Sequence, residues 1–165
     1  MLSLEMIEDL KIFENFETTE LEKILEICVS EQYQQGDMLF REGADAKNLW
    51  IVKEGEVQLR FEMPNAKPST DDNAISSHDN ETAESQIFGW SCFIPPYQMR
   101  LSAYCVTRRC EVIKINGKKI KSLMNSDPVI GYKIMTYLVQ VLGYRFKQMQ
   151  EEVAKFLGIN MMNSW

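Results

Sequence analysis

From Glu31 to Phe61 the chain is written in short apolar runs, each cut off by a turn that carries a glycine. Met38-Leu39-Phe40 lies between Gln34-Gln35-Gly36-Asp37 and Glu42-Gly43-Ala44-Asp45. Leu49-Trp50-Ile51-Val52 is followed by Glu54-Gly55 and then by Val57-Gln58-Leu59-Arg60-Phe61, in which apolar and polar residues alternate. A helix needs apolar positions three and four apart over a longer uninterrupted stretch, and turn residues at this pitch forbid one. Short strands joined so tightly pair antiparallel, so the segment predicts a β-sandwich or jelly roll. Further strands are expected at Leu101–Val106 and Glu111–Ile115, joined through Thr107-Arg108-Arg109.

Helical spacing frames this β region. Leu4, Ile7, Leu10 and Phe13 are three apart. Thr18 or Thr19 is expected to cap a second helix. Thr19-Glu20-Leu21-Glu22 fits a capping box, with Leu21, Ile24, Leu25 and Cys28 as the buried stripe. Gly117 to Met124 reads as a short helix. Ser126-Asp127-Pro128 has the cap-then-proline signature of a last one, expected to run to about Leu157 with Gly158 as its stop. Its Met135, Leu138, Leu142, Phe146, Met149, Val153 and Phe156 recur every three or four residues. Such a long striped helix invites a second copy of the chain, hence a homodimer; the alternative packs the stripe onto the β layer. The expected layout is one domain: helices over 1–30, a β-roll over 31–116 and helices over 117–165. Residues 63–85 are rich in Pro, Ser, Thr, Asp, Asn and Glu and nearly devoid of large apolar side chains, so they are expected to form a mobile loop. His78, the only histidine, falls there and is expected to be solvated.

Charge excludes some functions. The net charge of −6 argues against general nucleic-acid binding, which needs a basic surface. Residues 1–113 hold 10 Lys+Arg against 21 Asp+Glu, whereas residues 114–165 hold 8 against 3. A basic C-terminal helix can meet an acidic partner protein, the acidic body of its own chain, or only water. No apolar run reaches membrane-spanning length, and Met1-Leu2-Ser3-Leu4-Glu5 is too acidic and broken for a signal peptide, so a cytoplasmic protein without a membrane partner is expected. Cys28, Cys92, Cys105 and Cys110 form no C-x-x-C pair and read as small core residues; Cys92, near the start of a short helix, is the one with a redox option. A single histidine and the lack of a nucleophile–base pair argue against catalysis.

One segment carries chemistry. Phe88-Gly89-Trp90-Ser91-Cys92-Phe93 is followed by Arg100. A glycine after an apolar strand, opening a short helical turn, presents free N–H groups to an anion, and an arginine returning on the next strand closes that nest with its planar fork. Arg100 can instead pair with an acidic neighbour, and Trp90, flanked by Phe88 and Phe93, can instead plug the core.

This spacing closely resembles the phosphate-binding cassette of the cyclic nucleotide-binding domain family, which includes catabolite activator proteins and kinase regulatory subunits. Other pieces resemble the family in order and spacing: Phe13-Glu14-Asn15-Phe16 with Glu20-Leu21, Gly36-Asp37, Phe40-Arg41-Glu42-Gly43, Leu49-Trp50-Ile51-Val52, Gly55-Glu56-Val57 and Cys110-Glu111-Val112. The resemblance implies a mainly β fold with flanking α, an eight-stranded jelly roll (double-stranded β-helix) whose last helix is hinge and dimer contact. It also implies a cyclic monophosphate against the cassette over 88–100, with its phosphate on the arginine and helix amides, its ribose hydroxyl on a glutamate and its base on the final helix. Gly89 matches the cassette glycine and Arg100 the phosphate arginine. Trp90 stands where the glutamate belongs, and Leu101 where a small hydroxyl residue often follows the arginine, with Ser91 and Ser102 close by.

Losing the ribose contact costs about 1.5–3 kcal/mol, while the phosphate half remains. The expected ligand is cAMP, cGMP or another phosphorylated small molecule, held by Arg100 and the amides of Ser91 and Cys92, with Trp90 capping or filling the sugar subsite. The expected function is a non-enzymatic sensor whose ligand shifts the final helix. The alternative is a degenerate roll that binds no ligand and serves as a dimeric protein-interaction scaffold. The DNA-reading branch of the family adds a helix-turn-helix domain after the long helix; only Gly158 to Trp165 follow here, so no direct DNA binding is expected.

Overall fold

The computed structural model describes residues 2–62, 74–75 and 86–163. Among the described residues eight strands are formed: β1 Cys28–Gln34, β2 Met38–Phe40, β3 Asn48–Glu54, β4 Val57–Arg60, β5 Ala74–Ile75, β6 Ile87–Phe88, β7 Ser102–Cys105 and β8 Arg109–Asn116. They pair antiparallel into two four-stranded sheets, ordered β1-β8-β3-β6 and β2-β7-β4-β5. Consecutive strands alternate between the sheets along much of the chain, which is the expected jelly roll.

The alternation of the strands sorts their side chains. In the second sheet Val57 lies opposite Cys105 and Leu59 opposite Ala103, all on the core face. Gln58, Arg60 and Tyr104 take the other face, where the Arg60 guanidinium sits 5.0 Å over the Tyr104 ring and Tyr104 donates to Glu62 (2.6 Å). Strands β3 and β8 are buried on both faces. Trp50 and Phe88 turn toward Phe40 of the second sheet, with ring centroids 5.5 and 5.7 Å away. Leu49, Ile51, Ile113 and Ile115 point the other way and share one buried cluster with apolar residues of the helices.

Those helices are α1 Leu4–Glu8, α2 Thr18–Leu25, α3 Gly117–Ser126 and α4 Pro128–Asn163, with a 3₁₀ turn at Lys11–Phe13. Several boundaries differ from the sequence reading. The opening helix breaks after Glu8 and resumes as that single turn. The cap of α2 is Glu17 rather than a threonine: the Glu17 N–H donates to the Glu20 carboxylate (2.8 Å), closing the box two residues earlier than Thr19 to Glu22. Cys28 begins β1 instead of ending the helical stripe, because the main chain from Cys28 onward finds partners along β8, starting with Ile115. The β-roll therefore starts before residue 31. Of the expected loop over 63–85, Ala74–Ile75 pair with β4; His78 and the remainder lie outside the described residues.

Helix α4 departs most. Asp127 caps it, accepting from the Ile130 N–H (3.4 Å) and from Lys23 of α2 (2.7 Å), while Lys133 donates to Glu20 (2.5 Å). Only the Lys133–Glu20 pair joins the basic C-terminal part to the acidic N-terminal one; Lys23–Asp127 runs the other way. The buried stripe of α4 is Ile130, Ile134, Leu138 and Val141, of which the expected stripe shared only Leu138. Phe146, Met149, Val153 and Phe156 are exposed. The helix passes through Gly158 to Asn163: a glycine weakens a helix by ~1 kcal/mol and stops it only where the chain turns left-handed.

Candidate functional site

Strand β6 delivers the chain to the cassette. Gly89 follows it in a left-handed conformation (φ 83°) and opens a 3₁₀ turn, Trp90–Phe93. The reversal has a second requirement: a Cβ on Gly89 would lie 2.6 Å from Trp50 Cδ1 and 2.8 Å from the Asn48 carbonyl oxygen. Only glycine fits between the turn and strand β3. Within the turn the Cys92 N–H donates to the Gly89 carbonyl (3.1 Å). That amide, expected to face an anion, is therefore spent; the first N–H groups of the turn, those of Trp90 and Ser91, are the ones with no acceptor inside it.

Arg100 precedes β7 and is held in place through its neighbour. The Met99 N–H donates to Ala44, and the Met99 carbonyl accepts from Gly43, both at 2.8 Å. Met99 is buried while Arg100 stands exposed, and among the described residues no carboxylate lies within ion-pair distance of its guanidinium. The salt-bridge alternative for Arg100 has no partner there. Leu101 is half-buried. Ser102 is fully buried, and its hydroxyl accepts from the Glu42 N–H (2.8 Å), so it faces the β2–β3 connection with its oxygen already engaged.

Trp90 is half-buried and packs against the margin of the core. The core plug is made by other rings. Trp50 stacks on Phe88 (centroids 6.2 Å apart, 11° between planes), and Phe40 closes the group. Phe40 and Trp50 were legible as strand residues, but nothing in their spacing said that two strands would bring them to one cassette glycine. Ser91 is half-buried. Cys92 points inward, 5% exposed, and its burial pushes the thiol up to about 11 despite the pull of Lys121. A thiol held protonated is the reverse of the activated group that a redox role needs.

The far side of the turn meets the C-terminal helices. A Cβ on Gly117, the first residue of α3, would lie 3.0 Å from Cys92 Cβ, and the Gly117 N–H donates to Lys47 (2.8 Å). From the next turn of α3 the Lys121 ammonium reaches over the rings of Tyr97 (4.6 Å) and Phe93 (5.8 Å). Asn116 caps α3, its Oδ1 accepting from Lys118 and Lys119 at 3.1 Å each. Cassette and helix start are in direct contact.

Other chemistry is sparse. Among the described residues no group of three or more His, Cys, Asp or Glu could hold a metal ion, and no helix is long and apolar enough to cross a membrane. A cleft of about 550 Å³ lined by Met6, Cys28, Ser30, Gln32 and Glu111, among others, shares no residue with the cassette. Its carboxylate is already taken by Ser30 (2.9 Å) and Lys53 (3.3 Å).

Comparison with known proteins bears on this arrangement. Residues 30–127, more than half of the chain, match the family model described as cyclic nucleotide-binding domain. No curated protein matches the chain. Among solved structures it is similar to a Geobacter metallireducens protein described as cyclic nucleotide-binding, with 23% identity and a TM-score of 0.69 over 88% of this chain and 99% of that one. A cyclic nucleotide-binding domain from Methylobacillus flagellatus is similar at 18% identity and a TM-score of 0.68, covering 92% of this chain and 80% of that one. The regulatory domain of Toxoplasma gondii PKA, crystallised with cAMP, is similar at 18% identity and a TM-score of 0.56, covering 81% of this chain and 49% of that one. At these identities the likeness establishes the fold.

Proposed function

The chain belongs to the cyclic nucleotide-binding domain family, and from that membership we propose that it is a non-enzymatic sensor of a small phosphorylated anion. The anion sits between the Arg100 guanidinium and the N–H groups of Trp90 and Ser91. One observation carries the reading: an exposed arginine with no carboxylate partner among the described residues stands after a turn whose first amides have no acceptor. Gly89 supplies the reversal, and Leu101 closes the floor. Ser102 and the Cys92 amide drop out of the ligand set because both are engaged within the protein.

Trp90 holds the place of the family's ribose-binding glutamate. An indole cannot accept a hydroxyl proton as a carboxylate does, so a cyclic nucleotide such as cAMP or cGMP keeps its phosphate contacts and loses a sugar contact worth roughly tenfold or more in affinity. The signal leaves through α3. Ligand that draws the turn toward Arg100 pulls Cys92 and Phe93 against Gly117 and Lys121, giving the two positions of the helix pair different ligand affinities, as coupling requires. The exposed apolar face of α4 from Phe146 to Phe156 favours a homodimer as the assembly that reads this shift. The lack of a membrane-length helix among the described residues supports a cytoplasmic setting.

Isothermal titration with inorganic phosphate, cAMP and cGMP, on the natural chain and on Arg100→Ala, tests the reading. Binding by the natural chain and none by R100A is expected, with unfolding free energies within about 0.5 kcal/mol of each other because Arg100 makes no ion pair among the described residues. Absence of heat with all three compounds at millimolar concentration leaves the dimeric scaffold as the function.

A further inference from the structure

Strand β1 stands at the end of its sheet, paired with β8 alone, and the hydrogen bonds at its end fix which residues face outward. The Gln35 N–H donates to the Arg108 carbonyl (3.3 Å), continuing the register in which Gln34 lies opposite Arg109. Gln34 instead turns both main-chain groups to Asp37: its N–H donates to the carboxylate (2.8 Å), and its carbonyl accepts from the Asp37 N–H (3.0 Å). Main-chain direction alternates along a strand, so Val29, Glu31 and Tyr33 bond β8, while Cys28, Ser30 and Gln32 aim their N–H and C=O groups at the free edge. None of these groups has a hydrogen-bond partner among the described residues.

Natural sheets blunt such edges by keeping them short, bulged or fitted with lysine or proline. The other edge strands follow that rule among the described residues: β2 has three residues and a shift in register, and β5 and β6 have two each. Strand β1 has seven, with no lysine, no proline and no break in register. Its one charged side chain, Glu31, is paired with Lys114, and Val29 is 53% exposed.

The edge opens onto the cleft described above. Cys28, Ser30 and Gln32 line it from the strand, Leu2 and Met6 from the N-terminal side, and Glu111 from β8. Ser30 and Lys53 both bond Oε1 of Glu111; Oε2 accepts no hydrogen bond among the described residues. Apolar walls ending at a carboxylate suit the stem and head of a lysine or arginine. The surroundings are acidic as well. Residues 1–35 hold 9 Asp+Glu against 2 Lys+Arg, and Glu5 and Glu26 are exposed and in no ion pair among the described residues. Two copies of β1 set edge to edge would bring these like charges together, so charge selects a basic strand over a second copy.

We propose that the outer edge of β1 is a docking site for an extended, basic segment of a partner protein. The segment adds a strand to the sheet, bonds the main chain of Cys28, Ser30 and Gln32, and places a lysine or arginine side chain in the cleft. This surface is separate from the cassette and stands whether or not an anion binds there.

A synthetic capped peptide of alternating lysine and valine, titrated into the ¹⁵N-labelled full chain, tests the proposal by nuclear magnetic resonance. The Ser30 and Gln32 amides should shift downfield and exchange more slowly with solvent, while those of Val29 and Glu31, already bonded to β8, keep their protection. Of two peptides methylated on alternate amides, at valine or at lysine, one should bind about tenfold or more weakly, and glutamate in place of lysine should abolish binding. Gln32→Pro removes an outward N–H and none of the β8 bonds, so it should weaken binding by a similar factor with the circular dichroism unchanged; the methylated peptides carry the test should that variant not fold. Binding that leaves the Ser30 and Gln32 amides unmoved, equal binding of both methylated peptides or of the glutamate peptide, or no binding at millimolar peptide overturns the proposal. So does protection of those amides that grows with protein concentration in the absence of peptide, which would put a second copy on the edge.

Discussion

Replacing Gly89 by alanine tests the cassette geometry without touching a charged group. Two penalties add. A non-glycine residue at φ 83° pays roughly 1–2 kcal/mol for the left-handed conformation. The new methyl group would also press on Trp50 Cδ1 at 2.6 Å and on the Asn48 carbonyl at 2.8 Å. Neither neighbour can yield cheaply, because Trp50 is locked among Phe40, Phe88 and Lys114, and the Asn48 oxygen belongs to the backbone of β3. Overpacking of this kind costs typically about 1–3 kcal/mol, for a total of about 2–5 kcal/mol. Gly36→Ala is the matched control: φ is 91° there, yet nothing lies within 4 Å of the added methyl. The unfolded-state entropy gained by either alanine is the same and cancels. Urea unfolding followed by tryptophan fluorescence, with a slope of about 2 kcal/mol/M, should lower the midpoint by about 1–2.5 M for G89A and about 0.5–1 M for G36A. Equal shifts in the two variants would refute the close approach of the turn to β3.

Two more outcomes can be stated alongside the one already given for Arg100. Phe146→Glu should convert the chain from dimer to monomer in sedimentation velocity with its helical circular dichroism unchanged; a natural chain that is monomeric at a hundred micromolar rejects the α4 interface. Acid should destabilise the fold through Glu20, Glu31 and Glu111, whose carboxyls sit below the ordinary 4.5: burial opposes their charge, but hydrogen bonds from Lys133, from Lys114 and Tyr33, and from Ser30 and Lys53 outweigh it. A carboxyl depressed by folding gives stability that is present above its unfolded value and lost as the pH falls through the folded one, so melting temperature should drop below about pH 4.5 and E20Q should flatten that slope. A melting temperature that is level from about pH 5 to 3 contradicts the assignment.

The strands were legible because their signals are local. Met38-Leu39-Phe40 between two glycine turns could be little else, and the left-handed turn at Gly89 was legible through backbone chemistry that neighbours in sequence dictate. What escaped the sequence depends on register and on partners far along the chain. Glu20 as the closing residue of the α2 cap, rather than a threonine at its start, is a contest between several adjacent acceptors that spacing does not decide. Ser102 looked available beside Arg100, but the period-two pleat turns it away from Leu101 toward the Glu42 amide. The three rings at Phe40, Trp50 and Phe88 converge only once the two sheets face each other, so Trp50 carried no mark of its place beside Gly89. In α4 the apolar residues surround the helix, and burial by the body, not periodicity, selected Ile130, Ile134, Leu138 and Val141.

Val141 is the last fully buried residue of α4, and every residue from Met149 to Gly158 is exposed. From Val141 to the last helical residue, Asn163, the rod is about 33 Å long at 1.5 Å per residue. A tilt of about 5° at Val141 would carry the far end of this rod through roughly 3 Å. A displacement too small to disturb the roll would thus become, at the far end of the helix, the difference between side chains that mesh with a neighbour and side chains that miss it.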